Sequence, residues 1–322
     1  MLLPDIALKN SITLLFLSFF LFISCDHKHK EYAKGVLFYS GFPHERELIG
    51  EVIELDTALL RYPFRIRIEG DRVIVMDLHG LDHYGHLFQY PSYQYLSSFG
   101  KRGDSLLRDE TVTLDEDILR PLDFAIYNDS MFIIPDYSGE NRLCRVNRNG
   151  RLIDKIGIIP TIDEKALENA RPALAQAWRS FLDYNPNNGI LAAVTQLGEV
   201  VEVYNLKDST HIIRIGEHGE PEFKVSDGYG MPTGIMGFSD VQVTDSAIYT
   251  VFHGTSFKEI ARQSGRLPDG GKYIYVFSLE GEPLCKYVLD HYIYGIWVDE
   301  ATKTIIATDV NNDEPILKFN FG

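Results

Sequence analysis

The sequence predicts an all-β chain built from a repeated four-stranded unit, and three observations predict it. Beyond the first two dozen residues, short runs rich in Val, Ile, Phe and Tyr are punctuated by Gly, Asn and Asp. The stretch from Arg179 to Glu217 displays one whole unit: "FLDYN", "ILAAV", "VVEVYN" and "HIIRIG", separated by the turns "PNNG", "QLG" and "LKDST". Its Asn-Gly step between apolar runs is a strong hairpin signal, because both residues tolerate positive φ. The pattern then recurs at intervals of about 55–60 residues, a spacing that signals a repeat architecture. First strands begin at Phe64, Phe124, Phe181, Val241 and Ile296, and the third strands "LFQYP", "LCRVN", "VEVYN", "IYVFS" and "ILKFN" match one another. Four antiparallel strands repeated around an axis form a β-propeller blade. Five four-stranded blades are counted.

The elements follow in chain order. From Ile12 to Ile23 the only polar interruptions are Ser and Thr, with Lys9 upstream. At about 1.5 Å per residue, a dozen residues cannot cross a hydrocarbon core of about 30 Å. The run suits the apolar region of a secretory signal. Phe22-Ile23-Ser24-Cys25 resembles a bacterial lipobox. That resemblance implies cleavage before Cys25, its diacylation, and a mature chain tethered by lipid; an ordinary cleaved signal is the alternative. The expected organisation is a signal peptide over 1–24, a lipidated cysteine and tether over 25–35, and one propeller domain over 36–322. "LIGEVIELD", Leu48 to Asp56, reads as a lone strand, and the last repeat supplies only three strands. Pairing the two closes the ring and removes two exposed strand edges. Between the second and third repeats, Leu167, Ala170, Leu174, Ala177 and Phe181 follow helical spacing, with Pro172 breaking the helix or starting a second turn.

Composition restricts the partners. The 322 residues carry a net charge of −15 and are 45% hydrophobic, ample for a buried core. Such an acidic surface repels phosphate backbones, which excludes nucleic acid as a natural partner. Cys144 and Cys285 stand in apolar stretches of different repeats and read as buried free thiols; an exported compartment would also permit a bridge.

Strand alternation sorts the connections onto two faces. The 1–2 turns, such as "EGD", "NDS" and "TDS", are short. The 2–3 loops and the crossovers between blades are long: Leu78 to Gly85, Gly254 to Gly271, and Lys101 to Arg120. Long loops in compact domains are often functional, so this face is the expected ligand face. Its candidates are His79, His83, His86, His253 and His291, with His218 beside them, and the aromatics Trp178, Tyr229 and Tyr292. "DLHGLDHYGH" brings Asp77, His79, His83 and His86 close in sequence, and imidazole with carboxylate suits zinc-like ions. The spacing matches no metal signature, so these are expected to be loop histidines, with no metal site assigned. Asp77, Asp136 and Asp309 share one repeat position, the end of strand 2. An Asp there is expected to cap its own 2–3 loop through backbone N–H groups. "DVNNDE", Asp309 to Glu314, starts like a calcium loop, but Glu314 stands where the turn needs Gly. The chain has no P-loop, G-x-S-x-G or H-E-x-x-H motif.

With its lipobox, its "YNPNNG" hairpin and its "GEVVEVYNL" strand, the chain resembles the TolB-like six-bladed propeller lipoproteins of Gram-negative bacteria. The resemblance implies six blades where the repeat shows five, and a location in the cell envelope, anchored to a membrane. It implies no catalytic residues or cofactor. The expected function is therefore a membrane-anchored envelope lipoprotein that binds a glycan, peptide or protein partner. Two alternatives stand beside it: a metal-dependent lactonase or hydrolase of the gluconolactonase-like propeller type, and a scaffold subunit of an envelope complex.

Overall fold

The computed structural model describes residues 35–55, 60–102, 112–116, 118–119, 121–262 and 267–322. The signal region, the lipobox and Cys25 lie outside them, as does part of the Lys101–Arg120 crossover. Three short strands lead: β1 (Val36–Phe38), β2 (Glu45–Leu48) and β3 (Glu51–Ile53). Blade 1 is β4 (Pro63–Glu69), β5 (Arg72–Asp77), β6 (His83–Gln89) and β7 (Tyr95–Lys101). Blade 2 is β8 (Ala125–Asn128), β9 (Met131–Pro135), β10 (Leu143–Asn147) and β11 (Leu152–Ile156).

Helices α1 (Glu164–Asn169) and α2 (Arg171–Ala177) follow, with the break just ahead of Pro172. Asp163 Oδ1 caps the first by accepting from Ala166 N at 3.0 Å, and Pro172 sits in the first turn of the second, where a missing N–H costs nothing. Blade 3 is β12 (Ser180–Asn185), β13 (Ile190–Thr195), β14 (Val200–Asn205) and β15 (Thr210–Ile215). A hairpin absent from the sequence reading, β16 (Phe223–Ser226) and β17 (Tyr229–Pro232), fills the next crossover. Blade 4 is β18 (Phe238–Val243), β19 (Ala247–Phe252), β20 (Gly271–Ser278) and β21 (Pro283–Ile293), with helix α3 (Phe257–Arg262) inside its 2–3 loop. Blade 5 is β22 (Ile296–Asp299), β23 (Thr304–Thr308) and β24 (Ile316–Asn320).

Each blade is an antiparallel sheet with its first strand innermost. The described residues form five such sheets, and the fourth strand of the last is β3, antiparallel to β24. The other two leading strands take places that no repeat foretells. β1 pairs parallel to β15 and β2 pairs parallel to β21, each as a fifth, outermost strand. Residues 36–53 thus run round the rim as a strap over blades 3, 4 and 5.

Blades bury both faces against their neighbours, so a middle strand such as β13 is buried at every position instead of alternating. Shared apolar clusters fill four seams. Leu182 and Leu191 meet Ile133 and Leu143 between blades 2 and 3, and Val194 and Val203 meet Val241 and Ile248 between blades 3 and 4. Val251 and Ile274 meet Ile305 and Leu317 between blades 4 and 5; Ile66 and Val75 meet Ile306 and Ile316 between blades 5 and 1. The fifth seam is built differently. There the crossover residues Leu114 and Ile118 pack on Ile134, Cys144 and Val146 of blade 2. This long crossover, read from the sequence as part of the ligand face, therefore also fills core. Its backbone passes so close to Gly150, itself at φ +78°, that a Cβ there would stand 2.0 Å from Thr113 O. Near this seam Phe124 and Ile126 remain 54% and 61% exposed.

Blades 2 and 3 are also clamped by a buried ion pair. Arg142 Nε donates to Glu202 Oε1 at 2.7 Å, and its Nη2 donates to Ser180 Oγ. Tyr204 Oη donates to Glu202 Oε2 at 2.8 Å, and His211 Nε2 stands 3.3 Å from the same oxygen. Burial would raise the Glu202 carboxyl, but Arg142, His211 and Tyr204 hold it down at about 2. Cys144 and Cys285 are free thiols, the first buried inside blade 2 and the second half-buried against the core of blade 4.

Candidate functional site

Two features of the ring bear on function: a charged hub at the axis and a cavity on the long-loop face. The hub starts from the alternation in β4, where Ile66 and Ile68 pack toward blade 5 and Arg65 and Arg67 point the other way, toward the axis. Arg67 Nη1 and Nη2 donate to Asp240 Oδ2 and Oδ1 at 3.0 and 2.9 Å, and also to the carbonyls of Ile296 and Val241. Arg65 makes a bidentate pair with Asp123 and lies 3.4 Å from Asp240. Asp123 Oδ2 accepts from Leu182 N, Asp240 Oδ2 from Ile296 N, and Asp183 Oδ2 from Val243 N. One network thus ties all five blades. Burial opposes the charge on Asp240, but Arg67 and Arg65 prevail and hold it low; burial pushes Asp183 up. None of these residues was foreseen as a site. Two arginines alternating with isoleucine in the innermost strand were the available signal.

The cavity, about 240 Å³, is enclosed by the long 2–3 loop of blade 4 and by Met236 of the crossover that leads into that blade. Met236, Ile260 and Leu267 give it apolar wall; His253, Thr255 and Asp269 give it polar wall. Asn311 ties the blade 4 loop to blade 5, since its Oδ1 accepts from Asp269 N and its Nδ2 donates to Asp269 O, both at 2.8 Å. Tyr62 Oη donates to Asp269 Oδ2 at 3.2 Å, joining the start of blade 1. His253 is buried beside Tyr294, with ring centroids 5.9 Å apart, and burial pushes its imidazole down to about 4. Its Nε2 has no hydrogen-bond partner among the described residues. At pH 7 the cavity thus offers a neutral imidazole, a carboxylate, a hydroxyl and an apolar wall.

The other predicted residues scatter. His79 is exposed with its ring against Tyr62, 5.0 Å between centroids. His83 and His86 belong to strand β6 and not to an irregular loop; His86 is buried with Nδ1 2.9 Å from Ser98 Oγ, and burial lowers its pKa. His86 Nε2 lies 3.8 Å from Asp77 Oδ2, while His79 and His83 do not join them. Among the described residues no group of three or more His, Cys, Asp or Glu is gathered to hold a metal ion. His291 lies within β21, with Nδ1 2.8 Å from Asp290 Oδ1. His218 Nδ1 stands 2.6 Å from the buried Glu199, which also accepts from Tyr39 Oη at 2.8 Å.

Trp178 leaves the ligand face altogether. It is 1% exposed, packed at the end of α2 with the Arg142 guanidinium 5.7 Å above its ring. The short helices turn inward the aromatic that the crossover was expected to display. Tyr229 is 63% exposed on the β16–β17 hairpin, and Tyr292 carries Lys272 Nζ 4.8 Å above its ring. At the repeated aspartates, Asp77 accepts from Arg61 N, Tyr62 N and His79 N. Asp136 accepts from Ser138 N and pairs with Lys155, and Asp309 accepts from Asn311 N and Asn312 Nδ2.

A family profile described as TolB-like 6-blade propeller-like matches residues 42–106 and 104–301. The chain belongs to that family. This TolB-like propeller has five blades among its described residues where the family description gives six. No curated protein matches it. Solved structures similar to it include a putative exported protein from Bacteroides fragilis, 10% identical over 88% of this chain and 98% of that one, TM-score 0.49. An auxiliary nutrient binding protein from Bacteroides ovatus is 11% identical over 80% of this chain and 58% of that one, TM-score 0.39. The Pan2 WD40 domain of Neurospora crassa is 13% identical over 79% of this chain and 63% of that one, TM-score 0.35. The chain spans less than two thirds of the last two proteins. Likeness at this level carries no functional information. Among the described residues no helix is long and apolar enough to cross a membrane.

Proposed function

We propose that this TolB-like propeller is an envelope lipoprotein of a Gram-negative bacterium, anchored to a membrane through Cys25, and that its long-loop face captures a glycan, peptide or protein partner. The observation that carries the binding reading is the cavity enclosed by the long 2–3 loop of blade 4. Its volume of about 240 Å³ is below the 300–1,000 Å³ typical of sites that enclose a whole small ligand. It suits one sugar ring or one side chain of a larger partner. Thr255 and Asp269 give that group polar contact, and Met236, Ile260 and Leu267 give it apolar contact.

The test is a thermal-stabilisation screen of glycans and peptides on a soluble chain beginning at Asp26, repeated with Thr255→Trp to fill the cavity. A hit lost in the variant supports the reading; a hit that survives places binding elsewhere. Elemental analysis of the same chain checks the metal-dependent hydrolase alternative. Stoichiometric calcium or zinc would overturn the simple binding reading. Anchoring is tested separately, by mass spectrometry of the lipid on Cys25 and by loss of membrane association in Cys25→Ala.

A further inference from the structure

Strand direction settles where the chain joins the propeller. In each blade the fourth strand runs from the short-turn face to the long-loop face. β1 is parallel to β15, with Val36 opposite Ile213 and Phe38 opposite Ile215. The start of β1 therefore lies at the short-turn face, next to the "LKDST" turn. Gly35 confirms the placement: its carbonyl accepts from Ile213 N at 3.1 Å, and a Cβ on it would meet His211 O. The cavity opens at the opposite end of the strands, among the 2–3 loops and crossovers.

From this we propose that the anchored protein stands with its short-turn face toward the membrane and its long-loop face turned to the aqueous phase, so that the surface offered is one for a soluble or distant partner. The inference rests on the lipoprotein reading. Between Cys25 and Gly35 the tether spans at most about 35 Å when fully extended. Blade strands of six residues make the propeller about 20 Å tall before its loops are added. To invert the molecule, the tether would have to spend most of its reach climbing the outer edge of blade 3. Charge does not supply the orientation. Glu69, Asp71, Asp129, Asp208 and Asp245 are exposed on the short-turn face, which anionic head groups repel. The tether alone holds that face near the bilayer.

The experiment uses the full lipidated chain in vesicles carrying an energy-transfer acceptor on the lipid head group. In a Cys285→Ser background, a donor dye is placed by Asp129→Cys or Glu280→Cys on the short-turn face, and by Asp82→Cys or Lys258→Cys on the long-loop face. Transfer at least twofold more efficient from the first pair is expected. Equal transfer, or stronger transfer from the second pair, overturns the orientation while leaving the anchor standing. A chain found by mass spectrometry to lack lipid on Cys25 overturns the anchored reading and the orientation with it. The unlipidated chain beginning at Asp26 is the control and should show no transfer.

Discussion

Replacing Arg142 by methionine would leave Glu202 ionised and buried with its principal countercharge gone. Both side chains are almost fully enclosed, at 1% and 0% exposure, so water cannot take over from the guanidinium. Methionine keeps much of the apolar stem against Trp178, which isolates the charge from the packing. Breaking a buried pair by removing one partner costs about 3–5 kcal/mol. For a domain of this size, each kcal/mol lowers Tm by about 2 °C, so a fall of roughly 6–10 °C is expected at pH 7. The pH dependence carries the sharper test. In the wild type the Glu202 carboxyl is held at about 2, below its ordinary 4.5. Its contribution is fully present above pH 4.5 and is lost as pH falls through 2. Without Arg142, burial dominates and the carboxyl moves up, so protonation relieves the variant on mild acidification. The gap between wild type and Arg142→Met should narrow from pH 7 to pH 4, and adding Glu202→Gln should recover part of the loss at pH 7. Urea unfolding at both pH values measures this. A loss under about 1 kcal/mol at pH 7, or a gap unchanged by pH, would refute the assignment of the pair as a buried clamp.

Four further outcomes follow from the same geometry. His253, held near 4 against an ordinary 6.5, makes the folded state lose stability as pH falls from 6.5 to 4, because the unfolded chain binds the proton first. His253→Gln should flatten that part of the stability profile by up to about 3 kcal/mol, and an unchanged slope would show that the imidazole titrates normally. A chain beginning at His44 should fold with a lowered Tm, since it lacks β1 and the Tyr39–Glu199 hydrogen bond. A chain beginning at Glu54 should aggregate, because it bares the edge of β24; a stable monomer by light scattering would argue against ring closure by β3. Finally, burial pushes the Cys144 thiol up to about 12, so a thiol reagent should modify Cys285 first in the native chain beginning at Asp26, and both residues only after denaturation.

Much of the ring was legible because its signals are local and repeated. Phe124, Phe181 and Ile296 mark inner strands by their spacing, and the missing fourth strand of the last repeat points to the residues of β3. The strap was harder to see. "VLF" and "EREL" are three and four residues long, too short for any period, and become strands only through parallel partners far along the chain. The hub was half legible. The alternation Arg65-Ile66-Arg67-Ile68 shows which side chains leave the core face, but Asp123 and Asp240 stand 58 and 173 positions away from their arginines, and only closure of the ring brings them together. His83 and His86 looked like loop residues because polar side chains and Gly85 interrupt the apolar pattern; the ladders with β5 and β7 override it. The cavity lies within one long loop, but the bonds from Tyr62 and Asn311 that hold its Asp269 in place come from distant stretches of sequence.

The strap gives the propeller a graded response to mechanical load. Tension applied at Gly35 acts first on β1, whose parallel alignment with β15 loads the hydrogen bonds in shear when the pull runs along the strand. β2 lies next in line, and β3 bears force only after both have detached. Since β1 and β2 are fifth strands on sheets already complete, their loss leaves every blade whole. They work as sacrificial links, dissipating a tug before it reaches the strand whose release would unlatch the ring.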